Sequence, residues 1–307
     1  MIICENCGTQ NEDFYNYCYN CGFPLKSHLK HAEAQRLLGL TFAFESLGLL
    51  DQTIKAYEQL LKVYPNYADI RYKAAIAYEA RGDYETAIKH LQHALKINPN
   101  YVQARIKLGE LYAAIGKYQE SLVELKTALS IRPKYTYADV HNNIGVIYEI
   151  LGDIKQAKRY YKKAISLNPK FGKAYYNLAN VLLDQRNYTE AVGLYRKALE
   201  CKYDTPEVHN NLGLALMKQE EYKEAEHELK RAIELDPRLI NPYINLIELY
   251  FATQQFDKLS SQLKELKERF PHSPEVKRLL QRLRKRGLSL RELEDISTED
   301  TTSSVGR

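Results

Sequence analysis

The chain has 307 residues, 45% hydrophobic and 27% charged, with a formal net charge of +5, five cysteines and no tryptophan. No uninterrupted apolar stretch approaches the roughly 20 residues needed to cross a bilayer as a helix, and Met1-Ile2-Ile3 runs directly into Cys4 without the basic and apolar regions of a secretory leader. The expectation is therefore no membrane insertion and a cytoplasmic location.

The first element is Cys4-x2-Cys7-x10-Cys18-x2-Cys21. Gly8 and Gly22 follow the second cysteine of each pair, where a positive φ lets backbone N–H groups turn toward a metal-bound thiolate. Two such knuckles predict a tetrahedral site for one structural zinc ion. A pair of disulfides and a redox CxxC centre compete with zinc; nothing points to secretion, and no βαβ pattern surrounds the cysteines. The stretch Ile3 to Leu25 is similar to short zinc ribbons, so residues 1–25 are taken as one module and 26–33 as a linker into the first helix. Residues 1–25 contain no Lys or Arg but hold Glu5, Glu12 and Asp13, and four thiolates with one Zn²⁺ would take that charge from −3 to −5. Such a module repels phosphate. Its aromatic residues Phe14, Tyr15, Tyr17, Tyr19 and Phe23 suit a protein-binding face.

From residue 34 the chain repeats. Pro65, Pro99, Pro133, Pro169, Pro237 and Pro271 stand at steps of 34, 34, 36, 68 and 34 residues, with Tyr203 on the missing beat. Gly48, Gly82, Gly116 and Gly152 mark a second phase, and Ala94, Ala128, Ala164, Ala198 and Ala232 a third. In one period Ala74, Ala75 and Tyr78 recur at helical spacing, Gly82-Asp83 interrupts them, and Tyr84, Ala87, Ile88, Leu91, Ala94 and Leu95 resume the pattern until Pro99. Each unit reads as two helices that cannot bury their apolar faces without neighbours.

These residues resemble the tetratricopeptide repeat (TPR), with its small pair in helix A and its alanine, aromatic, alanine and proline series in helix B. Seven units fit: 34–67, 68–101, 102–135, 138–171, 172–205, 206–239 and 240–273, with Thr136 and Tyr137 inserted between the third and fourth. The resemblance implies an all-α, right-handed superhelix behind a small zinc ribbon. Departures fall in three units. The first has Thr41 and Thr53 at small positions, the fifth has Arg186 for glycine and Tyr203 for proline, and the seventh has Ile247 and Leu259. Terminal units of an array are commonly atypical.

In such an array helix A lines a groove, and one phase there reads Gly39, Lys73, Lys107, Asn143, Asn177, Asn211 and Asn245. Four successive carboxamides, each donor and acceptor at once, can grip the backbone of an extended peptide. Asn142, Asn180, Asn210 and Asn241 extend this polar surface. Asparagine is also the commonest TPR residue at this phase, so a ligand role and family habit both remain open. The ladder is expected to face solvent, so that alanine there would leave stability unchanged. The place before it reads Leu38, Tyr72, Ile106, Asn142, Tyr176, Asn210 and Ile244, without the lysine of the carboxylate clamps that hold chaperone tails.

Nothing catalytic emerges, since GxxxxGK[ST], GxSxG, HExxH and a strand-to-helix GxGxxG are all missing. His28-x2-His31 and His90-x2-His93 read as exposed polar pairs, His141 and His209 as packing between units, and Cys201 as a buried residue. Val276, Leu279, Leu280 and Leu283 predict a capping helix over 274–287, with its basic residues pointing largely outward to solvent. Beyond it, Ser289-x-x-Glu292 suggests a short helix, and Ser297 to Arg307 a disordered end of the 288–307 segment. The reading is a non-enzymatic scaffold that binds a protein or peptide in its groove, with the ribbon as a second module and self-association left open. The alternatives are a nucleic-acid-associated factor using the ribbon and the basic cap, which the charge distribution disfavours, and an accessory subunit of a membrane or secretion assembly.

Overall fold

A computed structural model describes residues 1–3, 9–11, 32–131 and 137–286. Among these residues there are fifteen helices and one two-stranded antiparallel pair, divided into two compact units, Met1–Tyr160 and Tyr161–Arg307. Cys4, Cys7, Cys18, Cys21, Pro133 and the 287–307 segment lie outside the described residues.

The first unit begins with strands β1 (Ile2–Ile3) and β2 (Gln10–Asn11), in which Ile2 stands opposite Asn11 and Ile3 opposite Gln10. Helix pairs follow: α1 (Ala32–Ser46) with α2 (Leu50–Val63), α3 (Ala68–Ala80) with α4 (Tyr84–Ile97), and α5 (Val102–Ala114) with α6 (Tyr118–Ile131). Next come α7 (Ala138–Ile150) and α8 (Ile154–Leu167), within which the division between units falls.

The alternation of small and large residues explains how the helices close on one another. Ala74, Ala87, Ala94 and Ala104 are fully buried at crossings, while Tyr57, Leu91, Tyr101 and Leu108 fill the spaces between helices. A Cβ placed on Gly109 would lie 2.7 Å from the Leu125 side chain, so a larger residue there would force Leu125 to move where α5 and α6 pack. Thr41 and Thr53, bulkier than the usual small pair, are buried with their hydroxyls donating to Leu38 O (2.7 Å) and Leu49 O (3.0 Å). Between α3 and α4 the chain reverses through Gly82 at φ +84°; Gly82 N donates to Glu79 O and Asp83 N to Tyr78 O. Asp83 then caps α4 by accepting from Thr86 N.

The second unit continues with α9 (Gly172–Asp184) and α10 (Tyr188–Glu200), α11 (Pro206–Lys218) and α12 (Tyr222–Leu235), α13 (Ile240–Ala252) and α14 (Phe256–Arg269), and ends in α15 (Pro274–Lys285). Its turns keep the same left-handed residue without glycine: Arg186, Glu220 and Gln254 have φ of +60°, +65° and +57°. Lys202 at φ +62° closes α10 where the proline is missing, and Tyr203 then sits so near that a Cβ on Gly172 would come within 2.4 Å of it. At the far end Ser273 Oγ accepts from Glu275 N and Val276 N, Pro274 opens α15, and Val276, Leu279 and Leu283 are buried. Ile247 and Leu259, large residues at normally small positions, are buried as well.

Candidate peptide-binding groove

In the second unit the first helices of successive pairs bring the asparagines together as a network. Asn245 Nδ2 donates to Asn210 Oδ1 (2.9 Å), Asn210 Nδ2 to Asn211 Oδ1 (2.9 Å), and Asn211 Nδ2 to Asn180 Oδ1 (3.0 Å). Tyr195 Oη also donates to Asn180 Oδ1, and Tyr176 Oη accepts from Asn211 Nδ2. Burial pushes the Tyr195 phenol far above its usual range, so it remains a neutral donor. Asn177, Asn180, Asn211 and Asn245 are half-buried, Asn210 is only 9% exposed, and Asn241 is exposed.

The ladder therefore differs from a row of freely solvated side chains. Asn211 and Asn245 are held across helices by the flanking carboxamides Asn180 and Asn210, each about one repeat away. Every carboxamide has more hydrogen-bonding capacity than one contact uses, so the network fixes the side chains and leaves further donors and acceptors for a ligand.

The ladder opens into a groove of about 890 Å³ formed by α11, α13 and α15, within the range of roughly 300 to 1,000 Å³ typical of ligand sites. Asn241, Ile244, Asn245 and Glu248 line it from α13. The basic residues of α15 do not all point away from the protein, as the sequence suggested. Arg282 and Arg286 reach Glu248 at 3.3 and 2.6 Å, and Arg286 also lies 4.3 Å from the Phe251 ring centroid. Glu248 went unnoticed in the sequence, although it lies three residues after Asn245 and so shares its helix face.

In the first unit the same phase carries charge at Lys73 and Lys107. Lys107 Nζ lies 3.3 Å from Glu79 and 3.0 Å from Glu110, while Lys73 pairs with Asp69 at 3.1 Å. Burial opposes the charge on Lys107, but Glu110 and Glu79 outweigh it and hold the ammonium above its ordinary range. Asn143 Nδ2 donates to Glu110 Oε1 at 3.4 Å, and Asn142 is 1% exposed, a core position rather than groove surface.

The other candidates fall elsewhere. His209 is buried between Glu228 (2.5 Å from Nδ1) and Asp204 (2.7 Å from Nε2). Burial lowers its basicity, yet its hydrogen bonds to both carboxylates raise it overall, and Glu228 is correspondingly held below its ordinary range despite its own burial. His90 stacks on Tyr78 and meets Glu58 at 3.2 Å, and Cys201 is half-buried against the Pro169 carbonyl. Among the described residues no cluster of three His, Cys, Asp or Glu side chains could hold a metal. The pairing of Ile3 with Gln10 holds together the two ends of residues 4–9, the stretch that includes Cys4 and Cys7. That pairing beside the first cysteines, with four thiol donors in the sequence, fits a zinc ion. No helix among the described residues is long and apolar enough to cross a membrane.

Comparison with known proteins gives the same picture in several pieces. Tetratricopeptide-repeat models match residues 43–102, 79–142 and 138–171, and a zinc-ribbon domain model matches residues 3–25. A model of the Est1 DNA/RNA binding domain matches residues 157–286. Tetratricopeptide repeat protein 6 of Homo sapiens is 39% identical over 56 residues; the match spans 18% of this chain and about a tenth (11%) of that relative. Among solved structures, MamA is 26% identical with a TM-score of 0.51, covering 55% of this chain and 92% of its own. YrrB, described as a TPR protein with an unusual peptide-binding site, is 19% identical with a TM-score of 0.54 over 64% of this chain and 97% of its own, a likeness of fold alone.

Proposed function

We propose that this chain, a tetratricopeptide-repeat protein whose first residues match a zinc-ribbon domain, is a non-enzymatic scaffold that holds a protein partner by an extended peptide segment. The observation that carries the reading is the asparagine network of the second unit, in which Asn180 and Asn210 hold Asn211 and Asn245, and Asn245 lines an open groove. An extended peptide presents N–H and C=O groups in alternation, and immobilised carboxamides meet both without reading side chains closely. The peptide-binding site ascribed to YrrB, a protein of the same fold, is in keeping with this role. In the second unit Asn177, Asn211 and Asn245 would make the principal contacts, with Asn180 and Asn210 orienting Asn211 and Asn245; in the first, Asn143 would offer a contact of its own, with Asn142 supporting α7 from the core.

Cys4, Cys7, Cys18 and Cys21 would hold one structural Zn²⁺, giving a second interaction module whose aromatic content suits a further protein partner. The cytoplasm, which keeps such thiols reduced, is the compartment that fits. Affinity capture with the full chain tests the scaffold reading. A discrete partner should be recovered by the native chain and lost when Asn143, Asn177, Asn211 and Asn245 are replaced by Ala. A partner retained by that variant, while lost on deletion of residues 1–25, would move the function to the ribbon.

The Est1-type match favours a second reading, in which the second unit associates with nucleic acid. Binding of that kind must weaken steeply with salt as counterions are released. A gel-shift series in rising salt should show only weak, length-independent retention. Sub-micromolar binding at physiological salt, abolished by neutralising Arg282, Arg284, Lys285 and Arg286, would replace the scaffold reading.

A further inference from the structure

The groove at the end of the second unit has a marked charge. Its lining includes Lys218, Arg278, Arg282, Lys285 and Arg286 against Glu248 and Glu275, a net +3. Glu248 and Glu275 are already engaged by Arg282, Arg286 and Arg278, so the excess positive charge faces the open space. Leu214, Met217 and Ile244 supply apolar surface beside it. The site thus suits a segment that is acidic and carries aliphatic side chains.

Such a segment is covalently attached at the groove itself. α15 ends at Lys285, and both Lys285 and Arg286, the last described residue, line the groove. The chain continues through Gly287 into Leu288, Leu290, Leu293 and Ile296, interleaved with Glu292, Glu294, Asp295, Glu299 and Asp300. Residues 287–307 hold five acidic and two basic side chains, a net −3 that matches the lining in size and opposes it in sign. A tethered segment binds without losing the translational freedom that a separate peptide must give up, and short tethers supply effective concentrations on the order of millimolar.

We propose that residues 288–300 occupy the groove of α11, α13 and α15 in cis, so that an acidic partner segment binds by displacing them. This rests on the groove being a peptide site, and adds to it that the site's own competitor is built into the chain. The tail, rather than a partner's peptide, is the resident occupant because its charge and aliphatic pattern are complementary and it starts at the site.

The test uses the full chain and a fluorescein-labelled synthetic peptide of residues 287–307, followed by fluorescence anisotropy. One protein is native; the other carries Glu292→Gln, Glu294→Gln, Asp295→Asn, Glu299→Gln and Asp300→Asn, with unchanged helical circular dichroism as the folding control. With the tail weakened in cis, the labelled peptide should bind at least about tenfold more tightly than to the native chain, because a tail tethered at an effective concentration on the order of millimolar competes with it. Adding Arg278→Ala and Lys285→Ala should remove that binding, and raised salt should weaken it. Equal binding to both chains would overturn occupancy by the tail while leaving an acid-binding groove. Absence of binding to either, or binding indifferent to Arg278→Ala and Lys285→Ala, would overturn the site's charge preference. The asparagine capture experiment reads the peptide-site reading separately, so the two failures are distinguishable.

Discussion

The helix-turn positions allow a test in both directions. Gly82 and Arg186 occupy equivalent turns: Gly82 N to Glu79 O is 2.8 Å and Asp83 N to Tyr78 O is 2.9 Å, while Arg186 N to Leu183 O and Asn187 N to Leu182 O are both 2.9 Å. Both residues are exposed, and a Cβ on Gly82 would meet nothing within 4 Å. The difference between them is therefore conformational. A side chain at positive φ costs about 1 to 2 kcal/mol, and glycine gives back about 0.4 to 1 kcal/mol through its freer unfolded chain. Arg186→Gly should accordingly stabilise by about 0.5 to 1 kcal/mol, and Gly82→Ala should destabilise by a similar amount. Urea unfolding followed by helical circular dichroism would show the midpoint rising in the first variant and falling in the second at constant slope. A lower midpoint for Arg186→Gly would refute the reasoning and mean that this side chain contributes a contact exceeding the backbone strain.

The chain as purified should contain one zinc, bound with about 10 to 16 kcal/mol; elemental analysis without zinc, or with a content unmoved by Cys4→Ser, would contradict this, and chelation should leave the helical signal of the repeats intact. His209 and Glu228 predict a bounded pH dependence of stability. The His209 contribution is complete below its ordinary 6.5 and lost as pH rises through its elevated folded value, whereas that of Glu228 is present above 4.5 and lost as pH falls through its depressed one. The pair should therefore stabilise most between these two values. Thermal unfolding of His209→Gln across pH 4 to 9 should lose that maximum; an unchanged profile would exclude the pair as its source.

The helical repeat was legible because its causes are local. Gly82-Asp83 stops one helix and caps the next, and Ala87 and Ala94 must be small where helices cross, so the spacing of these residues reports the packing directly. Tyr203 and Gly172 show the limit of such reading. Each looks like a lone irregularity, and only their close approach shows that the glycine accommodates the displaced turn after α10. The groove depended still more on contacts between repeats. Asn211 meets Asn180 from 31 residues away and Asn245 meets Asn210 from 35, so the ladder's phase was visible but its internal hydrogen bonding was not. Arg286 is 38 residues from Glu248, which is why the basic face of α15 read as a solvated cap. The same network changes the expected effect of alanine at the ladder. Removing partners of the buried Asn210 should lower stability by about 1 to 3 kcal/mol rather than leave it unaltered.

The central claim is that the carboxamide ladder holds an extended peptide. Isothermal titration of a captured partner peptide into the native chain and into the Asn143, Asn177, Asn211 and Asn245→Ala variant measures this, at a temperature where circular dichroism shows both fully folded. At about 0.5 to 1.5 kcal/mol for each hydrogen bond, the variant should lose about 2 to 6 kcal/mol of binding free energy. Affinity within twofold of the native value in a folded variant would contradict the account and place the binding surface away from the asparagines.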